Sequence, residues 1–76
     1  MSTPLRIPQA GAAMDEGTII EWLVADGDRV AAGQVVYRLD TDKTELEVEA
    51  PVGGVLRILG AAGVSYAVGA EVARIE

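Results

Sequence analysis

Cysteine, histidine and phenylalanine are all missing from this chain. Without cysteine there are no disulfides and no thiolate nucleophile. Without histidine there is no imidazole acid–base pair, and without either residue a tetrahedral zinc site loses its usual ligands. Aromatic residues are scarce as well, being only Trp22, Tyr37 and Tyr66. Cations are few, and the formal net charge of −6 argues against nucleic acid and anionic lipid as partners. No apolar run approaches the length that spans a bilayer. The start Met-Ser-Thr-Pro has neither a charged n-region nor an apolar h-region. A soluble, acidic, cytoplasmic domain is the expectation. Its 76 residues suit one small domain, residues 1–76, with no room for a second core.

Lysine is the scarcest charged residue. Lys43 stands alone beside five arginines, and the pattern around it gives it meaning. In Val35-Val36-Tyr37-Arg38-Leu39-Asp40 the odd positions are apolar. In Thr44-Glu45-Leu46-Glu47-Val48-Glu49-Ala50 the even positions are apolar or small and the odd ones are glutamate. Alternation with period two marks half-buried strands. Facing the apolar sides pairs Leu39 with Leu46, Tyr37 with Val48 and Val35 with Ala50. Thr41 then faces Thr44, and Asp42-Lys43 forms the loop. A one-residue slip would turn the glutamates inward, so the pattern sets the register. Two-residue hairpins favour Asn-Gly or Asp-Gly, which Asp-Lys does not supply. The register also sets Asp40 against Glu45, an unfavourable like-charge pair, and Arg38 against Glu47, a favourable one. Local rules broken at one exposed place point to a functional demand there.

A repeat organises the chain. An offset of 36 positions aligns residues 16–40 with 52–76. It pairs Gly17 with Gly53, Gly27 with Gly63 and Gly33 with Gly69, and it also matches Val36 with Val72 and Arg38 with Arg74. Equally spaced glycines mark equivalent turns or close approaches, and two like units imply an internal pseudo-twofold axis. Strands are expected at 4–8, 17–24, 35–40, 44–50, 53–59 and 71–76, with short extended pieces near 29–30 and 65–66. No segment has helical periodicity. Trp22, Ile20, Leu23 and Leu56 are expected in the core, and residues 9–16 form a polar and small loop. The fold class is therefore all-β, a small sandwich or barrel.

The ordered set Glu16-Gly17-Thr18-Ile19, Trp22-Leu23-Val24, Gly27-Asp28-Arg29-Val30, Gly33-Gln34, Asp40-Thr41-Asp42-Lys43, Glu49-Ala50-Pro51 and Gly53-Gly54-Val55 resembles the biotinyl/lipoyl-attachment family. The likeness is to the lipoyl domains of the acyltransferase (E2) component of 2-oxo acid dehydrogenase complexes. Biotin carriers typically flank the modified lysine with methionines. Here Asp42 and Thr44 flank it, which favours the lipoyl branch.

The resemblance implies a flattened barrel-sandwich of two four-stranded sheets, with lipoic acid amide-linked to Lys43. It implies a non-catalytic, monomeric carrier that is part of a longer acyltransferase. The implied partners are a lipoate ligase or lipoyl transferase, a thiamine-diphosphate decarboxylase (E1), the E2 acyltransferase core and dihydrolipoamide dehydrogenase (E3). Asp40, Thr41, Asp42 and Thr44 resemble the family's recognition elements for modification, with aspartate at 40 where glutamate is common. Gly27 and Gly54 match glycines that shape the hairpin's surroundings, and the 9–16 loop matches the one beside the modified lysine.

The residue chemistry is compatible with that role. A nucleophilic lysine needs its neutral form, whereas Asp40, Asp42, Glu45 and Glu47 around Lys43 favour the charged form. Lys43 is therefore a poor nucleophile unless an enzyme delivers an activated acyl donor. Amidation would take the net charge from −6 to −7, by loss of one positive charge. The glutamates suit basic partner surfaces and equally suit a solvated strand face. A biotin carboxyl carrier, a glycine-cleavage carrier and an unmodified barrel-sandwich interaction module remain open at this point.

Overall fold

The structure is a computed structural model that describes residues 2–9, 15–41 and 44–76. Eight strands follow in order: β1 (Thr3–Arg6), β2 (Glu16–Trp22), β3 (Arg29–Val30), β4 (Val35–Asp40), β5 (Glu45–Glu49), β6 (Gly54–Ile58), β7 (Ser65–Ala67) and β8 (Glu71–Ile75). There is no helix among the described residues. The strands form two antiparallel four-stranded sheets, ordered β1-β8-β6-β3 and β5-β4-β2-β7. Every strand expected from the sequence is present, with ends displaced by at most two residues.

The two sheet orders are the same arrangement with the two halves of the chain exchanged, so the fold has an internal pseudo-twofold axis. The hydrogen bonds repeat accordingly. Leu23 N–H donates to the Val36 carbonyl and Leu59 N–H to the Val72 carbonyl, both at 2.9 Å. Gly33 N–H donates to Ala50 at 2.8 Å and Gly69 N–H to Ile7 at 3.0 Å. The turn glycines adopt matching positive φ, 85° at Gly33 and 89° at Gly69, which explains why glycine recurs there.

Between the sheets lies a core with no buried charged side chain among the described residues. It contains Leu5, Ile7, Ile19, Val30, Val36, Tyr37, Leu39, Ala50, Leu56, Val72, Ala73 and Ile75. Leu56 meets expectation. Trp22 packs at its margin, 4.9 Å from the Tyr37 ring between centroids, and donates its indole N–H to the Gly60 carbonyl at 2.8 Å. Tyr37 is fully buried, and its hydroxyl has no hydrogen-bond partner among the described residues. Burial pushes that phenol up to about 12 from its usual 10.0.

Two bulges correct expectations drawn from the sequence. In the β2–β4 pairing Ile19 opposes Leu39 and Glu21 opposes Arg38, so Ile20 has no opposite number. An extra residue in one strand re-aims its neighbours, and Ile20 is exposed instead of joining the core. Leu23 lies just past the end of β2 and is also exposed. In the β4–β5 pairing Val35 opposes Glu49, not Ala50, because Val36 is the extra residue. Ala50 instead pairs through its backbone with Gln34 and Gly33. This bulge puts Val36 and Tyr37 both in the core, which strict alternation forbids.

Candidate functional site

Beyond the bulge the hairpin keeps the register read from the sequence: Tyr37 with Val48, Arg38 with Glu47, Leu39 with Leu46 and Asp40 with Glu45. Three hydrogen bonds close its end. Thr41 N–H and Thr41 Oγ1 both donate to the Thr44 carbonyl at 2.8 Å, and Thr44 N–H donates to Thr41 Oγ1 at 3.2 Å. A threonine suits the position because its hydroxyl satisfies backbone groups that the ladder leaves behind. Asp42 and Lys43, which join these threonines in sequence, lie outside the described residues. So do residues 10–14 of the first loop; of its ends, Asp15 accepts from Val68 N–H at 3.0 Å.

The outward side chains nearest the turn form one row across the sheet, with Ser65 on β7, Thr18 on β2, Asp40 on β4 and Glu45 on β5. The Thr18 and Ser65 hydroxyls share a hydrogen bond of 2.6 Å. Asp40 is exposed, and its side chain has no partner among the described residues. Asp40 and Thr41 border an open groove of about 230 Å³, completed by Glu16, Gly17 and Thr18.

Beneath the groove Gly17 is held by packing. A Cβ there would stand 2.8 Å from Leu39 Cδ1. The sequence signalled this close approach through the Gly17/Gly53 match without naming the side chain that causes it. Thr18, Ser65 and Glu16 were not legible as site residues, since each reaches the turn only through the pairing of β7 and β2 with β4.

Arg38 departs from the expected pairing. Its guanidinium passes over Glu47, donating to Glu21 at 3.2 Å and to Glu45 at 2.7 Å. Gly27 and Gly54, expected near the hairpin, have their close neighbours on the other sheet. Gly27, at φ 89°, donates to the Leu56 carbonyl at 2.7 Å and faces Arg57. Gly54, at φ 153°, lies against Ile75 and the Glu76 carbonyl. Backbone conformation accounts for Gly27, and backbone conformation with close approach for Gly54. Among the described residues no group of three acidic side chains is placed to hold a metal ion, and no helix is long and apolar enough to cross a membrane.

The sequence model of the family described as "Biotin-requiring enzyme" matches residues 3–75. The dihydrolipoyllysine-residue acetyltransferase component of the pyruvate dehydrogenase complex of Mycobacterium bovis is 38% identical over 73 residues, covering 95% of this chain and 13% of the relative. The lipoamide acyltransferase component of the branched-chain alpha-keto acid dehydrogenase complex of Pseudomonas putida is 40% identical over 73 residues, 95% of this chain and 17% of the relative. The dihydrolipoyllysine-residue succinyltransferase component of the 2-oxoglutarate dehydrogenase complex of Rickettsia bellii is 33% identical over 76 residues, 99% of this chain and 19% of the relative. The chain thus spans less than a fifth of each of these three acyltransferase components. Since the match runs from the first strand through the last, the chain belongs to the biotinyl/lipoyl-attachment family.

Proposed function

We propose that this chain is a lipoyl carrier domain, with lipoic acid held as an amide on Lys43. The observation that carries the reading is the closure of the β4–β5 hairpin by Thr41 and Thr44 on either side of the chain's one lysine. Two paired strands and three hydrogen bonds give the intervening dipeptide a firm base, and a carrier needs its attachment point held out from a rigid body. The residues present fit the group. Lys43 offers the only side-chain amine, and the closed Thr41–Thr44 base holds the ends of its dipeptide. When attached, lipoic acid would supply the disulfide–dithiol couple and the acyl-accepting sulfur, for which this cysteine-free chain has no residue of its own.

Attachment requires a lipoate ligase or lipoyl transferase. The Lys43 ammonium gives one proton to solvent, its nitrogen bonds to the acyl carbon and then sheds a second proton to solvent, and the activated donor's leaving group departs with the electrons of the broken bond. The chain's own part is to present the amine and to keep Asp40 open beside the turn. The domain then serves a thiamine-diphosphate decarboxylase, an acyltransferase core and dihydrolipoamide dehydrogenase in turn, as a non-catalytic, monomeric part of a cytoplasmic 2-oxo acid dehydrogenase complex. The acyltransferase names of the relatives support this reading.

The family's description as biotin-requiring favours one second reading, a biotin carrier. Intact mass after incubation with lipoate ligase and, separately, biotin ligase separates the two. A single lipoyl-amide increment in the wild type, absent from Lys43→Arg, is expected. A biotinyl increment with the second enzyme alone would replace the proposal. No increment with either enzyme would end both readings.

A further inference from the structure

Arg38 stands at the middle of β4 with a glutamate directly opposite on each side, Glu21 on β2 and Glu47 on β5. Its guanidinium takes Glu21 at 3.2 Å but declines Glu47, reaching along β5 to Glu45 at 2.7 Å. Glu45 is the outward residue nearer the turn, and Asp40 stands opposite it. One cation on the central strand thus ties together three strands and compensates the carboxylate next to Asp40. Asp40, the outward neighbour of Arg38 on the same strand, stays without a partner among the described residues and borders the groove.

We propose that Arg38 is a positioning residue for the modification of Lys43. By pairing with Glu21 and Glu45 it lowers the net charge of these three carboxylates from −3 to −2 and leaves Asp40 as the one of them without a cationic partner among the described residues, so that an attaching enzyme meets Asp40 ahead of the other two. The inference rests on the carrier reading. Exposed ion pairs contribute little to stability, so the effect belongs to recognition and not to the melt. Charge arrangement at a contact surface acts on encounter and register. Without Arg38, Glu45 and Glu21 compete with Asp40 for the enzyme's cationic groups, and Asp40 and Glu45 repel each other at the hairpin end.

The test measures the initial rate of lipoylation of the 76-residue chain by intact mass, against carrier concentration, using lipoate ligase, lipoate and ATP. Arg38→Gln is expected to raise KM about tenfold with kcat within about twofold, and Glu45→Gln alone to behave as wild type. The double variant Arg38→Gln/Glu45→Gln is expected to recover to within about threefold of wild type. The single-variant deficit is expected to shrink in about 0.5 M salt, where charges are screened over a few ångströms. Arg38→Lys, which keeps the charge but lacks the fork, is expected to fall between and serves if Arg38→Gln melts abnormally. An Arg38→Gln chain modified at the wild-type KM, a loss confined to kcat, or a double variant as slow as the single would each overturn the role of Arg38. A wild-type chain that is never modified would instead remove the carrier reading beneath it.

Discussion

Two residues of the hairpin predict opposite things about stability and function. Lys43 is expected to matter for modification and hardly at all for folding. Lys43→Arg is predicted to abolish the mass increment while changing stability by less than about 0.5 kcal/mol, the usual size for a substitution in the surface turn that the sequence register expects there. A large drop in the melting temperature would make Lys43 structural. Tyr37 is the converse case. Its hydroxyl is buried without a partner among the described residues, and an unsatisfied hydroxyl costs roughly 1–3 kcal/mol. Tyr37→Phe is therefore predicted to stabilise by about 1 kcal/mol, which is about 4–8 °C in Tm for a domain of this size. The same phenol gives an alkaline signature. Its folded value of about 12 lies above the ordinary 10.0, so the unfolded chain loses the proton first. The stabilisation is complete below pH 10 and is lost as pH rises toward 12, amounting to about 2–3 kcal/mol at most. Thermal melts across that range should fall more steeply for wild type than for Tyr37→Phe. Parallel slopes would mean that the hydroxyl reaches water.

At the scale of the element, glycines that look alike in sequence do different work. Gly33 sits at φ 85° with open space where a Cβ would stand, whereas Gly54 sits at φ 153° with a Cβ that would overlap the Glu76 carbonyl oxygen. Gly33→Ala meets only the left-handed penalty, about 1–2 kcal/mol. Gly54→Ala adds a collision with backbone that cannot rotate away, so its predicted loss exceeds about 3 kcal/mol. Comparing the two melts checks this, and equal losses would show that the β6–β8 contact yields. The hairpin itself was largely legible, because Leu39, Leu46, Tyr37 and Val48 can face one another in only one register. What was not legible were the bulges at Ile20 and Val36. An extra residue leaves composition and near-neighbour pattern unchanged, and its position answers to the sheet opposite.

At the scale of the whole molecule, charge is unevenly divided between the sheets. Arg6, Arg74, Arg57 and Arg29 lie one to a strand on β1-β8-β6-β3, while Glu45, Glu47 and Glu49 line the edge strand β5 of the other sheet. An edge strand with open backbone groups invites pairing with a second copy, and charged side chains oppose it. Glu47→Thr/Glu49→Thr is predicted to raise the apparent mass in light scattering at high concentration without loss of the fold. An unchanged apparent mass would mean that these charges are not what keeps the edge unpaired.

The alternation and the matched glycines were enough to determine an all-β fold and the register of the hairpin from Tyr37 to Val48, and the single lysine named the residue on which the proposed carrier function would rest. These are local or near-local properties, since period-two burial and positive-φ turns are written in neighbouring residues. Only the tertiary structure decided that Ile20 and Leu23 face solvent, that Gly27 and Gly54 serve the far sheet, and that Arg38 turns from Glu47 to Glu45. Each of these depends on which groups two separate sheets, and strands distant in sequence, bring to the same place. A pattern read along one strand does not contain that information.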